Sequence, residues 1–253
     1  MTASQPDANT PMPGDRPLAR HRRWASAVVA AVAACSATVA AAAGPRLHVP
    51  SPDWRDQVIY FAMTDRFDDG DSKNNDQRAG EFNRAREDRY QGGDLRGLAR
   101  RLNYIRGLGA TALWITPPVA NQWIGPSGPN DGGAGGHGGY HGYWAEHFMQ
   151  VDKHLGTLAD YQRLSRQLHQ RGMVLVQDIV LNHTGNYFGQ AGPWSAADPS
   201  AHMVRYLSTP PVPAPRQAPF NLNDARDPAQ RAAAIYHWTP DVADYTDPVQ
   251  ERN

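Results

Sequence analysis

The 253 residues carry 25 Lys and Arg against 25 Asp and Glu, and 40% of them are hydrophobic. A chain of this length can bury a sizeable core as one or two domains. Its zero net charge supplies no general field for nucleic acid or an anionic membrane surface, so no nucleic-acid partner is expected and binding must come from specific sites.

The first 43 residues differ from the rest. Arg20, His21, Arg22 and Arg23 precede an Ala/Val stretch over residues 24–43, and Ala41-Ala42-Ala43-Gly44 offers small residues for cleavage. This reads as a secretory signal rather than a membrane span, because an Ala-dominated run is weakly apolar and no charged stop follows. Export to the periplasm or the extracellular space is expected. The single cysteine, Cys35, ends Val32-Ala33-Ala34-Cys35, which resembles a bacterial lipoprotein box. A lipid anchor at Cys35 and loss of Cys35 with the signal both stay open. Either way the mature body has no cysteine, so an exported protein must be stapled by something other than disulfides, and a metal ion is the natural substitute.

Residues 58–63 (VIYFAM) form an apolar run with β-branched and aromatic members, expected as a first strand ending at Thr64-Asp65-Arg66. Asp94 then caps a segment in which Leu95, Leu98, Leu102, Ile105 and Leu108 recur at helical spacing, with Gly109 as the stop. Residues 111–116 (TALWIT) are a second strand, cut off by Pro117-Pro118. Thr157 with Asp160 three residues on starts another helix, whose apolar face carries Leu158, Tyr161, Leu164 and Leu168 and which closes at Gly172. Residues 173–181 read as a third strand. Alternating strands and helices imply parallel pairing with right-handed crossovers. The strand-to-helix connections, residues 64–93 and 117–156, are far longer than the helix-to-strand ones, and in a (β/α)₈ barrel or an open doubly wound sheet such loops carry the function. After Asn182 the pattern gives way to a Pro-rich polar stretch with one short helix near residues 229–236.

Three clusters bear chemistry. Asp69-Gly70-Asp71-Ser72-Lys73-Asn74-Asn75 gathers carboxylate and amide oxygens around a glycine, as a hard cation such as Ca²⁺ requires, although a solvated acidic turn has the same composition. An EF-hand beginning at Asp65 fails, because Phe67 takes a ligand position and Asp76 replaces the bidentate Glu. Tyr140-His141-Gly142-Tyr143-Trp144 would, if extended, turn His141 and Tyr143 to one side. Asp178-Ile179-Val180-Leu181-Asn182-His183 would set Asp178, Val180 and Asn182 on one face of the third strand, with His183 at its end.

In this order TDRFDDGD (64–71), YHGYW (140–144) and DIVLNH (178–183) resemble the α-amylase family of glycoside hydrolases. The resemblance covers roughly residues 53–186. It implies an α/β fold, the first three strands of a (β/α)₈ TIM barrel, with the start of an inserted irregular domain after strand three. The expected organisation is thus a targeting segment over 1–43, barrel over 44–183 and inserted region over 184–253. The implied substrate is starch or a maltooligosaccharide. His141 and His183 resemble the histidines that hydrogen-bond the sugar at the cleavage site, Tyr143 the aromatic that stacks beneath it, and Asp178 the carboxylate that orders the site from below. Asp69, Asp71, Asn74, Asn75, Gly92 and Asp94 resemble a calcium site, and Asn182 a ligand of a second calcium whose partners would lie in the inserted region, with Asp241 or Asp244 as candidates.

Retaining hydrolysis needs a carboxylate nucleophile and a general acid/base about 5 Å apart. The family's Gly-x-Arg-x-Asp nucleophile pattern is absent from the sequence; the nearest fragment, Ala225-Arg226-Asp227-Pro228, has the wrong frame. No catalytic residue is therefore assigned, and the chain by itself is expected to be inactive, truncated or frame-interrupted. A glucan transferase of the cyclodextrin-forming kind, a calcium-dependent sugar-binding fragment and a non-folding remnant are the alternatives.

Overall fold

The computed structural model describes residues 49–126, 136–206, 208–239 and 246–248. The signal-like segment, Cys35, Asp241 and Asp244 lie outside the described residues. Among the described residues no helix is long and apolar enough to cross a membrane.

Three strands, β1 (Ile59–Ala62), β2 (Ala112–Ile115) and β5 (Val174–Gln177), form one parallel sheet in the order β1-β2-β5. Ile59 pairs with Ala112 and Ala112 with Val174, so the three strands run in step. Between β1 and β2 lie α1 (Leu95–Arg100) and α2 (Leu102–Gly107), and between β2 and β5 lies α3 (Leu158–His169). Leu95, Leu98, Leu102 and Ile105 from the first pair, Leu164 and Leu168 from α3, and Leu113 and Ile115 from β2 are fully buried together. Each such side chain contributes roughly 1.5–3 kcal/mol by leaving water. The other sheet face stays open. Ile59, Phe61 and Trp114 are 48%, 46% and 39% exposed, and Phe61 meets Trp114 edge-on at 4.9 Å across the register.

The expected helix over residues 95–108 is two helices, broken at Arg101 (φ −98°, ψ 5°), whose guanidinium reaches Asp68 at 3.0 Å. The capping box at Thr157 and Asp160 forms as expected. The expected third strand ends at Gln177, four residues early, so residues 178–183 leave the sheet and are not placed by strand alternation. Two antiparallel pairs lay outside the expected pattern. β3 (Val119–Asn121) pairs antiparallel with β4 (Ala145–Val151), and β6 (Phe188–Gln190) with β7 (Met203–Arg205). The short helix in the Pro-rich region, α4, spans Pro228–Ala233, with Pro at its first turn and the Asp227 carboxylate accepting from the Ala229 and Gln230 N–H groups.

Candidate functional site

The YHGYW loop sits above the carboxyl ends of the parallel strands. It is a turn, not the extended segment expected from alternation, because Gly142 has φ +83°. A Cβ there would stand 2.2 Å from the Pro117 carbonyl oxygen, so the backbone approaches the β2 exit more closely than any other residue allows. The turn still brings the His141 and Tyr143 rings side by side, 5.6 Å apart and 18° from parallel, with Trp144 edge-on to His141 at 4.5 Å.

Residues from the exit of β5 complete the group. Tyr143 Oη donates to Asp178 Oδ2 at 2.9 Å, and the Asp178 N–H donates to the Ile115 carbonyl at 3.2 Å, tying the segment back to β2. His183 Nε2 lies 3.1 Å from the Tyr143 carbonyl, and Asn182 Nδ2 lies 3.4 Å from His183 Nδ1. Both contacts are satisfied at once when Nε2 carries the proton and Nδ1 accepts. Tyr143, Asp178, His183 and His141 thus converge, although the strand expected to aim them stops short of Asp178. Behind them Gln122 clamps the following loop, donating to the Asn186 carbonyl at 2.8 Å and accepting from the Asn186 N–H at 3.0 Å. Its signal in the sequence is slight, one amide after a short apolar stretch.

Burial, and then the charge of His183, lowers the His141 imidazole to about 4, so it is neutral at physiological pH. His141 Nδ1 accepts from the Tyr143 N–H at 3.0 Å, which leaves the proton on Nε2 as a hydrogen-bond donor. Burial, then the bond to Asp178, raises the Tyr143 phenol to about 12, and it remains a donor. The group therefore offers a neutral imidazole, a phenol ring and a carboxylate held by that phenol. It can stack on a ring and exchange hydrogen bonds with hydroxyls, and it contains no second carboxylate of a retaining pair.

The loop over residues 64–93 is organised around Asp94. Its carboxylate caps α1 through the Gly97 N–H at 2.6 Å and also accepts from Gly70 N at 3.1 Å, Asp71 N at 2.8 Å and Asn74 Nδ2 at 3.2 Å. Asp69 accepts from Asn75 Nδ2 at 2.7 Å and pairs with Arg84, while Asp71 pairs with Arg96 at 2.6 Å. Gly92, at φ +95°, packs so closely that a Cβ would stand 2.6 Å from Asn75 Nδ2. Among the described residues no group of three or more His, Cys, Asp and Glu converges as a metal cluster. The Asn74 and Asn75 Oδ1 atoms, however, are buried without a partner. An orphaned amide oxygen in a carboxylate-rich loop is the donor type that a hard cation takes, so the residues fit Ca²⁺ through their amides while Asp94 shapes the loop.

A second polar knot was not anticipated. Buried His154 donates through Nδ1 to Asp152 at 2.8 Å and through Nε2 to Glu81 at 3.1 Å, with its ring stacked on Tyr90 at 3.9 Å. Burial opposes the imidazolium, but the two carboxylates outweigh it and raise His154 to about 9. Burial likewise opposes the Glu81 charge, yet His154 and the N–H groups of Gln77 and Ala79 hold it at about 2. His154 and Glu81 lie 73 positions apart and neither belongs to a recognisable motif.

The profile of the alpha amylase catalytic domain matches residues 61–241. The cyclomaltodextrin glucanotransferase of Klebsiella oxytoca is 40% identical over 148 residues, 54% of this chain and 21% of that protein. The periplasmic alpha-amylase of Escherichia coli is 40% identical over 137 residues, 53% of this chain and 20% of that protein. A beta/alpha-amylase of Paenibacillus polymyxa is 37% identical over 141 residues, 53% of this chain and 10% of that protein. The matched stretch thus spans between a tenth and about a fifth of each relative's own length, and the chain belongs to the alpha-amylase catalytic-domain family of glycoside hydrolases and glucan transferases.

Proposed function

We propose that the chain supplies the sugar-gripping floor of an exported α-amylase-type enzyme that cleaves α-1,4-glucosidic bonds in starch-like glucans. In this reading β1, β2 and β5 are the first three strands of a (β/α)₈ barrel, and the region after His183 is an insertion. The convergence of Tyr143, Asp178, His183 and His141 at the carboxyl ends of parallel strands carries the reading. His141 donates from Nε2 to a sugar hydroxyl, the Tyr143 ring lies under the pyranose, and Asp178 holds the tyrosine in place. Cleavage itself requires a nucleophile and an acid/base that this sequence does not offer in the family's pattern, so we expect binding without turnover from the 253 residues. Saturable binding of maltotriose, weakened about tenfold or more by His183→Ala at unchanged melting temperature, is the expected result. Equal affinity in wild type and variant would remove the sugar-binding role.

Ca²⁺ would be held by Asp69, Asp71, Asn74, Asn75 and Gly92, with Asp94 supporting the loop, and would bring fixed positive charge to a body without disulfides. Asn182, exposed beside His183, would serve a second Ca²⁺. The support for the first site is the pair of orphaned amide oxygens. Because the relative from Klebsiella oxytoca is named a glucanotransferase, transfer to a second glucan stands beside hydrolysis, and product analysis separates the two.

A further inference from the structure

The neutral turn at 140–144 stands on the buried charged knot of His154, Asp152 and Glu81. Both ring nitrogens of His154 are engaged, by Asp152 at 2.8 Å and by Glu81 at 3.1 Å, so the ring cannot turn without breaking a bond. Tyr90, also buried, stacks on that ring at 3.9 Å and 18° from parallel, and its N–H donates to the Glu81 carbonyl at 2.9 Å. The Tyr90 ring meets Tyr140 edge-on at 6.4 Å, and Tyr140 meets His141 edge-on at 5.5 Å. On Tyr140 lies the Arg66 guanidinium, 3.7 Å from the ring centre and fixed by the Glu87 and Arg89 carbonyls at 2.8 Å each. A continuous series of ring contacts thus links the knot to the His141 imidazole.

The backbone reaches the same knot by another route. Asp152 accepts from the Asn121 N–H at 2.9 Å and from the Trp123 indole at 3.3 Å. Asn121 and Trp123 then hold Gly139: the Trp123 carbonyl accepts from the Gly139 N–H at 2.7 Å, and the Asn121 amide donates to the Gly139 carbonyl. That carbonyl also accepts from the Gly142 N–H at 3.0 Å, which closes the turn. The hydrogen bonds therefore fix where the turn begins, and the rings restrict how Tyr140 and His141 lie on it, because aromatic pairs favour a narrow set of arrangements. Apolar residues of similar volume would stabilise such an interior at least as well, so the charges are better explained by the geometry they impose.

We propose that Tyr90, held between His154 and Tyr140, is a positioning residue for His141: through Tyr140 it keeps the imidazole where Nδ1 accepts from the Tyr143 N–H and the proton stays on Nε2. The use of that orientation in binding rests on the sugar-gripping reading of His141 above, whereas the orientation itself does not.

The test is side-chain histidine NMR of the unliganded full chain at neutral pH, read beside calorimetric titration with maltotriose. In wild type His141 is expected to show a single tautomer, protonated on Nε2. Tyr90→Met keeps apolar volume and loses the ring, and Tyr140→Leu removes the next ring in the series. Both are expected to move the His141 signals toward the average of the two tautomers and to weaken maltotriose about threefold or more. Tyr90→Phe keeps the ring and should match wild type in both measurements. Ile105→Val loosens the core beneath the helices and should change neither, which separates positioning from a general loss of stability. An unmoved His141 signature in Tyr90→Met and Tyr140→Leu overturns the proposal, and so does an equal shift in Ile105→Val. Should Tyr90→Met unfold, an unmoved signature in Tyr140→Leu overturns it alone. Averaged His141 signals in the ring variants, with no maltotriose binding in wild type, uphold the positioning and remove only the sugar-gripping reading.

Discussion

The two long loops leave the same end of one sheet, yet the loop over residues 64–93 and the turn at 140–144 are built from opposite chemistry. The loop over residues 64–93 is held by charge: Asp65 and Glu81 are buried, Arg100 pairs with Asp68 at 2.8 Å, and His154 reaches in between Asp152 and Glu81. Around residues 140–144 the contacts are ring on ring and neutral hydrogen bonds, with Asp178 tied to a tyrosine. A buried charge fixes geometry because loss of its partner leaves an uncompensated ion, whereas a neutral wall exchanges water for sugar hydroxyls at little cost. The first loop stabilises, and in the proposed reading the turn at 140–144 binds.

The sharpest way to break this contrast is Asp94→Ala, which removes the cap of α1 and three other acceptances; a loss of about 3–5 kcal/mol is expected in denaturant unfolding. A loss below about 1 kcal/mol would show that the loop holds without it. Replacing Glu81 by Gln should cost roughly 3 kcal/mol, because it strips a buried imidazolium of one carboxylate. The pH dependence of melting sharpens the same point. His154 is raised from 6.5 to about 9, so its contribution is complete below pH 6.5 and is lost as pH rises through 9. Glu81 is lowered from 4.5 to about 2, so its contribution is complete above pH 4.5 and is lost as pH falls through 2. Their joint effect is greatest between those limits, and Glu81→Gln should flatten both flanks; an unchanged profile would mean that the knot does not titrate with folding.

Chelation tests the same loop more gently. With calcium at a hundred times its dissociation constant, removal should cost about 2.7 kcal/mol, and Asn74→Ala with Asn75→Ala should abolish the dependence. Melting insensitive to calcium would remove the ion from this loop. On the neutral side, Tyr143→Phe should leave stability within about 0.5 kcal/mol and weaken maltotriose about fivefold by freeing Asp178. A large stability loss instead would make Tyr143 a structural residue.

Much of the covered half of the sheet was legible. Leu95, Leu98, Leu102 and Ile105 sit at helical spacing and are fully buried, and Thr157 with Asp160 forms the capping box that their spacing announces. The break at Arg101 was not legible, because it accompanies contacts with Asp68, 33 positions away. The site was legible in its residues but not in its geometry. Strand alternation was expected to aim Asp178, yet β5 ends at Gln177 and the bond from Tyr143, 35 positions earlier, fixes it. His141 and Tyr143 face one way through the turn at Gly142, not through an extended segment.

Local order in the chain determined the three parallel strands, the capped helix and the three motifs, because periodicity, capping and turn chemistry act over a few neighbouring residues. Tertiary structure alone decided which face of the sheet is covered, that Asp94 serves four donors, and that His154 meets Glu81. Those outcomes depend on groups brought together from distant positions, where burial makes each unmatched charge or hydrogen bond costly enough to select one arrangement.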